Sequence, residues 1–259
     1  MNYEALVDVL AVHLLCSIRV LGLLMSSPVF MLPSWPIPVR MWLALMLSLL
    51  MVPSVDPQVP MVLLATWTGM AIFAVREFLV GAMVGLLSGL PLYALQLSGY
   101  LEGSQMGLAM ATLFDPTQEG NVALLGQVKY LLGIWFLLHW NGHLVLIEAI
   151  NRSFSLIPLG KGVLDLPPGQ PFGRWITDLF LLAIRFSLPI MGALLLADVG
   201  LGFVARTVPQ MNVFILGIPL KIGLGLILLM AVIPFVVDLF YGTLGGAVTG
   251  ALEGVIMWR

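Results

Sequence analysis

Asp178, Arg185, Asp198, Lys221 and Asp238 all stand inside apolar stretches towards the C-terminal end of the sequence. A charge at mid-bilayer depth is unfavourable by about 3 kcal/mol unless it is paired or wet, so such groups form structural ion pairs or line a proton or substrate pathway. If a turn centred between Pro209 and Gln210 folds this region into an antiparallel hairpin, Asp198 and Lys221 lie equally far from it and face each other. Arg185 and Asp238 miss the same register by one helical turn. The expected buried ion pair is therefore Asp198 with Lys221. His139 and His143 have a spacing that can hold a metal on one helix face. Asn141-Gly142 stands between them and should break the helix, and no third ligand is near, so an interfacial turn is expected and no metal site. The Gly200/Gly202 and Gly223/Gly225 pairs lack the strand-turn-helix context of a nucleotide fingerprint. With no nucleophile elbow, zincin motif or P-loop in the sequence, no catalytic residue, no cofactor and no enzymatic activity are expected.

The elements that must carry these residues follow from composition. Of 259 residues, 60% are hydrophobic and only 9% charged, and the mean hydropathy is +1.07. Soluble domains carry roughly a quarter charged residues, so this chain belongs in or against a membrane. Its net charge of -2 offers too little basic surface for nucleic acid. A single cysteine, Cys16, excludes an intramolecular disulfide and a cysteine-based zinc cluster. The N-terminus has no basic n-region or A-x-A site, so the first apolar run is expected to be a retained helix.

Apolar runs at 5–32, 39–52, 61–75, 78–113, 121–150, 175–206 and 211–241 predict an all-α, polytopic membrane-associated protein. The run 78–113 would extend about 54 Å as one helix, against a hydrocarbon core of about 30 Å. Pro28, Pro91, Pro189, Pro219 and Pro234 lie inside such runs, where each is expected to kink its helix. The expected helices are therefore long and broken. Three parts are predicted: an N-terminal helical part at 1–150 with a pore-loop segment near 103–120, a proline-rich linker at 151–174, and a C-terminal helical hairpin with a glycine-rich tail at 175–259. With the acidic N-terminus outside, the positive-inside rule puts Arg40, Arg76 and the linker inside, although Arg206 then falls on the wrong side.

Three glycine ladders recur at four-residue spacing: Gly81/Gly85/Gly89, Gly99/Gly103/Gly107 and Gly242/Gly246/Gly250/Gly254. Each lies along one helix face and admits another backbone closely, within the chain or on another subunit. Segment 103–120 ends an apolar run with small residues, Met106, Met110, Leu113 and Phe114, then turns at Asp115-Pro116. It reads as a packed re-entrant turn or as a pore-lining loop, where irregular backbone at membrane depth is tolerated. Methionine suits a surface that seals around variable partners.

The residues resemble the FliR family, the flagellar type III export-gate membrane subunit, itself homologous to the injectisome SctT family. The resemblance rests on Arg19 to Pro28 with Arg40, on Gln105-Met106-Gly107 with Phe114-Asp115-Pro116, and on Asn141-Gly142-His143. It continues in Pro209 to Phe214, followed by Gly217-Ile218-Pro219-Leu220-Lys221. These motifs stand in matching order over nearly the whole chain. The resemblance implies a FliP-like part followed by a FliQ-like hairpin, in the bacterial inner membrane at the flagellar basal body. It implies FliP-like, FliQ-like and FlhB-like partner subunits, and unfolded flagellar subunits as the exported substrate. It further implies that the loop after Gln-Met-Gly plugs the closed pore, which nominates Met106, Met110, Leu113, Phe114, Asp115 and Pro116. Where the family carries more aromatics, this sequence has Met110 and Leu113. An injectisome subunit and a stand-alone secondary transporter are the alternatives, the latter lacking a matched inverted repeat of broken helices.

Overall fold

The computed structural model describes residues 3–31, 35–51, 66–108, 124–160, 170–208 and 213–256. Among them run eight α-helices: α1 (Tyr3–Ser26), α2 (Ile37–Met51), α3 (Trp67–Ser88), α4 (Leu90–Met106), α5 (Leu124–His139), α6 (Gly142–Leu156), α7 (Gln170–Thr207) and α8 (Val213–Ile256). The physical reason is the solvent. Backbone N–H and C=O groups in hydrocarbon must be satisfied within their own segment, which a helix achieves. Val9–Ser26, Trp67–Ser88, Gly173–Thr207 and Leu216–Gly254 are long and apolar enough to cross a membrane, and α5 with α6 qualifies as one broken span. The chain is thus an all-α polytopic membrane protein. At 15 residues α2 is too short for a full crossing. At 38 and 44 residues, α7 and α8 are longer than a perpendicular crossing needs.

The prolines divide into two groups. Pro189 lies within α7, and Pro219 and Pro234 lie within α8. Pro91 and Pro28 do not interrupt helices as expected. The run 78–113 breaks at Gly89, whose N–H donates to Gly85 O at 3.2 Å and Leu86 O at 3.1 Å. Pro91 then stands in the first turn of α4, where a missing N–H leaves no helix bond unmade. Pro28 follows the end of α1 in a turn. Between His139 and His143 the helix breaks as the Asn-Gly pair predicts, with Asn141 in the left-handed region at φ 57°.

Two compact units share the chain discontinuously. The first comprises residues 1–90, 137–175 and 244–259, and the second 91–136 and 176–243. In the first unit, α1 and α3 meet along the first glycine ladder. A Cβ on Gly81 would strike the Arg19 carbonyl, one on Gly85 the Ser26 Oγ and Leu23 carbonyl, and one on Gly89 the Pro28 ring. That close approach carries a core of Leu15, Val20, Leu23, Val84, Ile150 and Phe154. Ser17 and Ser48 join α1 to α2 at 2.8 Å.

At the centre of this unit lies Arg19, with no exposed surface. Its Nε donates to Glu77 Oε2, and its Nη1 donates to Ile157 O at 2.9 Å and Ser153 O at 3.2 Å. The guanidinium carbon stands 4.4 Å from the Phe154 ring centroid, within cation–π range. Glu77 Oε1 accepts from the Gly160 N–H at 2.9 Å. One ion pair therefore ties α1, α3, α6 and the segment after α6 together. Gly254, near the end of α8, packs in the same unit, where a Cβ would meet Leu87 and Trp175 at 2.9 Å.

Overpacking a close-packed seam destabilises by about 1–3 kcal/mol, and more where backbone must move. Gly81→Leu is expected to lower the thermal midpoint of the detergent-solubilised protein, because the Arg19 carbonyl cannot yield. Gly246→Ala, at a position with open space around its Cβ, should leave that midpoint unchanged.

Candidate pore-loop anchor and buried ion pairs

The site is built from the end of α4. Gln105 and Met106 close that helix, and Gly107 turns the chain at φ +85°, a conformation glycine adopts without a steric penalty. The Gly107 N–H donates to Ser104 O at 3.1 Å and the Leu108 N–H to Gly103 O at 3.0 Å, which satisfies carbonyls the helix would otherwise leave open. Met106 is fully buried among Leu125, Ile190 and Leu194. Its side chain fills the notch left by Gly225 on α8, where an added Cβ would lie 2.7 Å from Met106 Sδ.

Beside that notch, α7 and α8 form a hairpin whose register follows from its contacts. Asp198 meets Lys221, Leu201 lies against Gly217, and the Phe186 and Phe240 rings have centroids 6.4 Å apart. The pairings advance in opposite directions along the two helices, so the helices are antiparallel. Lys221 Nζ lies 2.8 Å from Asp198 Oδ1 and donates to Oδ2 at 3.0 Å. The Asp198 side chain is 39% exposed and that of Lys221 17%. Gln105 adds a third member, its Nε2 donating to Asp198 Oδ2 at 3.2 Å. A carboxylate only accepts and has sites for several donors, so it can serve both partners at once.

The structure brings Gln105 and Met106, from one nominated motif, together with Asp198 and Lys221 from another. Met110, Leu113, Phe114, Asp115 and Pro116 lie outside the described residues. Of the second ladder, Gly99 is a close approach, since a Cβ there would fall 2.7 Å from the Gly126 Cα on α5. Gly103 is buried, and Gly107 is the turn just described. Gly242, Gly246 and Gly250 have nothing within 4 Å of a Cβ, unlike Gly254.

Two buried pairs escaped the sequence reading. Lys129 Nζ donates to Glu102 Oε1 at 2.7 Å, with side-chain exposures of 3% and 0%. Glu102 stands three residues after Gly99, and Lys129 three after Gly126, so the glycine crossing brings the two helices close enough for the long side chains to meet. Arg19 with Glu77 is the other. Ionisable groups inside apolar runs, Arg19 in 5–32 and Glu102 in 78–113, were the available signal. Their partners lie 58 and 27 residues away in sequence, too far for any helical spacing to reveal.

An all-helical, polytopic membrane protein with three ion pairs between helices among the described residues is the class these observations define. The family model described as "Bacterial export proteins, family 1" matches residues 10–246. The chain belongs to that family, whose flagellar members are the FliR proteins its motifs resemble. It is 31% identical over 231 residues to flagellar biosynthetic protein FliR of Bacillus subtilis (strain 168), covering 88% of both chains. It is 30% identical over 221 residues to the FliR of Escherichia coli (strain K12), covering 85% of this chain and 83% of that one. Secretion system apparatus protein SsaT of Salmonella typhimurium is 30% identical over 176 residues, 66% of this chain and 65% of that one.

Removing one partner of a buried ion pair leaves a desolvated charge and destabilises by about 3–5 kcal/mol, whereas replacing both with apolar residues is near neutral. Lys129→Met should therefore lower the unfolding midpoint in detergent sharply. Glu102→Met combined with Lys129→Met should recover most of the loss in the same melt.

Proposed function

We propose that this chain is the FliR-type subunit of a flagellar type III protein export gate in the bacterial inner membrane, forming part of a gated conduit for unfolded flagellar subunits. The observation that carries the reading is the likeness to FliR proteins at about 30% identity along most of both chains. FliP-like, FliQ-like and FlhB-like subunits are its proposed partners. The exposed faces of α7 and α8 support this, since only 11% of Leu216–Gly254 is buried within the chain. Leu188, Leu196, Phe203, Ile227 and Met230 all face outward. Such surfaces are covered by lipid or by neighbouring subunits, and the open Gly242/Gly246/Gly250 stripe would let a neighbouring helix approach closely.

The work of the chain in this reading is conduction without covalent chemistry. The loop that follows Gln105-Met106-Gly107 closes the pore with Met110, Leu113 and Phe114, and Asp115-Pro116 turns it. An apolar constriction limits ion flow by dewetting, and flexible methionine contacts accommodate many peptide sequences. The likeness to SsaT, a secretion system apparatus protein, favours a second reading in which the same gate serves an injectisome.

Gentle extraction of the tagged protein from cells building flagella tests membership of the gate. A large complex containing FliP- and FliQ-like chains is expected, and recovery alone or as a small homo-oligomer would count against it. Changing Met110, Leu113 and Phe114 together to alanine should raise ion leakage across the membrane. Unaltered conductance in that triple variant would refute the closing role.

A further inference from the structure

One face of α7 carries two charges that the chain leaves without a counter-ion. Asp178 and Arg185 are both exposed, and neither has an ion-pair or hydrogen-bond partner among the described residues. In the same unit Glu102 meets Lys129 and Asp198 meets Lys221 across helices. Seven residues separate Asp178 from Arg185, which puts them on one helix face, about 10 Å apart along the axis and too distant to pair with each other. Leu181, Ile184 and Leu188 surround Arg185 on that face, and all three are exposed. Gly192 continues the row seven residues further on, and a Cβ there would meet nothing within 4 Å. All of these residues lie within Gly173–Thr207, a stretch long and apolar enough to cross a membrane. Charges in such a setting need pairing. Lipid tails cannot supply a counter-charge, whereas a helix laid along the row can, with the space at Gly192 letting its backbone come close.

We infer that the α7 face at Asp178, Arg185 and Gly192 receives one apolar helix of a neighbouring gate subunit, which carries a basic residue opposite Asp178 and an acidic residue opposite Arg185. This inference rests on the reading of the chain as a gate subunit and deepens it by naming the chemistry of the partner. A second copy of the chain does not fit. Inserted in the same membrane orientation, it would lay its own α7 parallel at equal depth and set Asp178 against Asp178 and Arg185 against Arg185. Apolar faces alone slide past one another at little cost, and two opposite charges in a fixed order admit one register and reject helices of the wrong sign.

The test reverses the order of charge while keeping both groups ionised. In cells building flagella, the chain with Asp178→Arg and Arg185→Asp should be recovered in the large complex at about a tenth of the parent yield or less, because like charges would then face each other across the interface. Asp178→Glu with Arg185→Lys keeps the order and should assemble as the parent does. Purified alone in detergent, both variants should keep the parent thermal midpoint, since neither side chain has a partner within the chain. A photoreactive phenylalanine analogue in place of Leu188, with both charges intact, reads the face directly. Its adduct should be a helix of another subunit that bears an acid and a base about two turns apart. If the reversed variant melts lower than the parent, the adduct alone decides. Adducts with lipid, with a second copy of the chain, or with a helix lacking those charges overturn the inference, and so does a parent yield of complex from a reversed variant. Recovery of the parent chain only alone or as a small homo-oligomer refutes the gate reading first and the interface with it, whereas the other adverse results, obtained with the parent in the large complex, refute the interface alone.

Discussion

A guanidinium with no exposed surface, deep in an apolar core, constrains everything around it. Arg19 cannot shed its charge, and its donors find no water where it sits, so the surrounding chain must supply acceptors. They come from Glu77 on α3 and from the carbonyls of Ser153 and Ile157 at the end of α6. Glu77 then needs a donor for its other oxygen and takes the Gly160 N–H. The glycine seam is part of the same arrangement. Gly81, one turn beyond Glu77, lets the Arg19 backbone approach α3 closely enough for the side chain to reach the carboxylate. Backbone contact and ion pair support each other, so a substitution that spreads the seam also disturbs the pair.

The second unit handles charge differently. Glu102 and Lys129 are enclosed as Arg19 and Glu77 are, and a pair of that kind is a rigid join. Asp198 and Lys221 are only partly covered, and Asp198 accepts from a third residue on another helix. Low solvent access makes a polar contact expensive to break, and partial access makes it exchangeable. The second unit thus holds one enclosed ion pair and one partly exposed pair that a third helix shares.

The glycine ladders show that identical spacing serves different ends. Gly81 and Gly85 are filled by α1, Gly89 by Pro28 in the turn after it, and Gly99 by the backbone of α5. Gly242, Gly246 and Gly250 meet nothing, on a helix whose apolar surface is mostly uncovered. A helix in lipid has no hydrophobic drive to associate, so small residues matter only where another backbone is at hand. The filled ladders account for the fold of this chain, and the open one suits a chain that works beside others.

Much of this protein was legible in its residues. Composition excluded a soluble fold, apolar runs without strand alternation required helices, and Asn141-Gly142 marked a break between two of them. The Asp198–Lys221 pairing followed from a hairpin turn, because antiparallel neighbours within one hairpin have a register that counting can recover. Pro91 was misread because a proline in the first turn of a helix looks, in sequence, like a proline inside an apolar run. Its harmless placement depends on where Gly89 ends the preceding helix. The Arg19–Glu77 and Glu102–Lys129 pairs, and the bond from Gln105 to Asp198, were decided by tertiary structure alone. Arg19–Glu77 and Gln105–Asp198 join helices far apart in the chain, and Glu102–Lys129 joins consecutive helices without a turn signal from which a register could be counted; local spacing carries no information about which helices will cross or at what residue. Periodicity and composition set what each segment must be, and only the packing of segments sets which side chains meet.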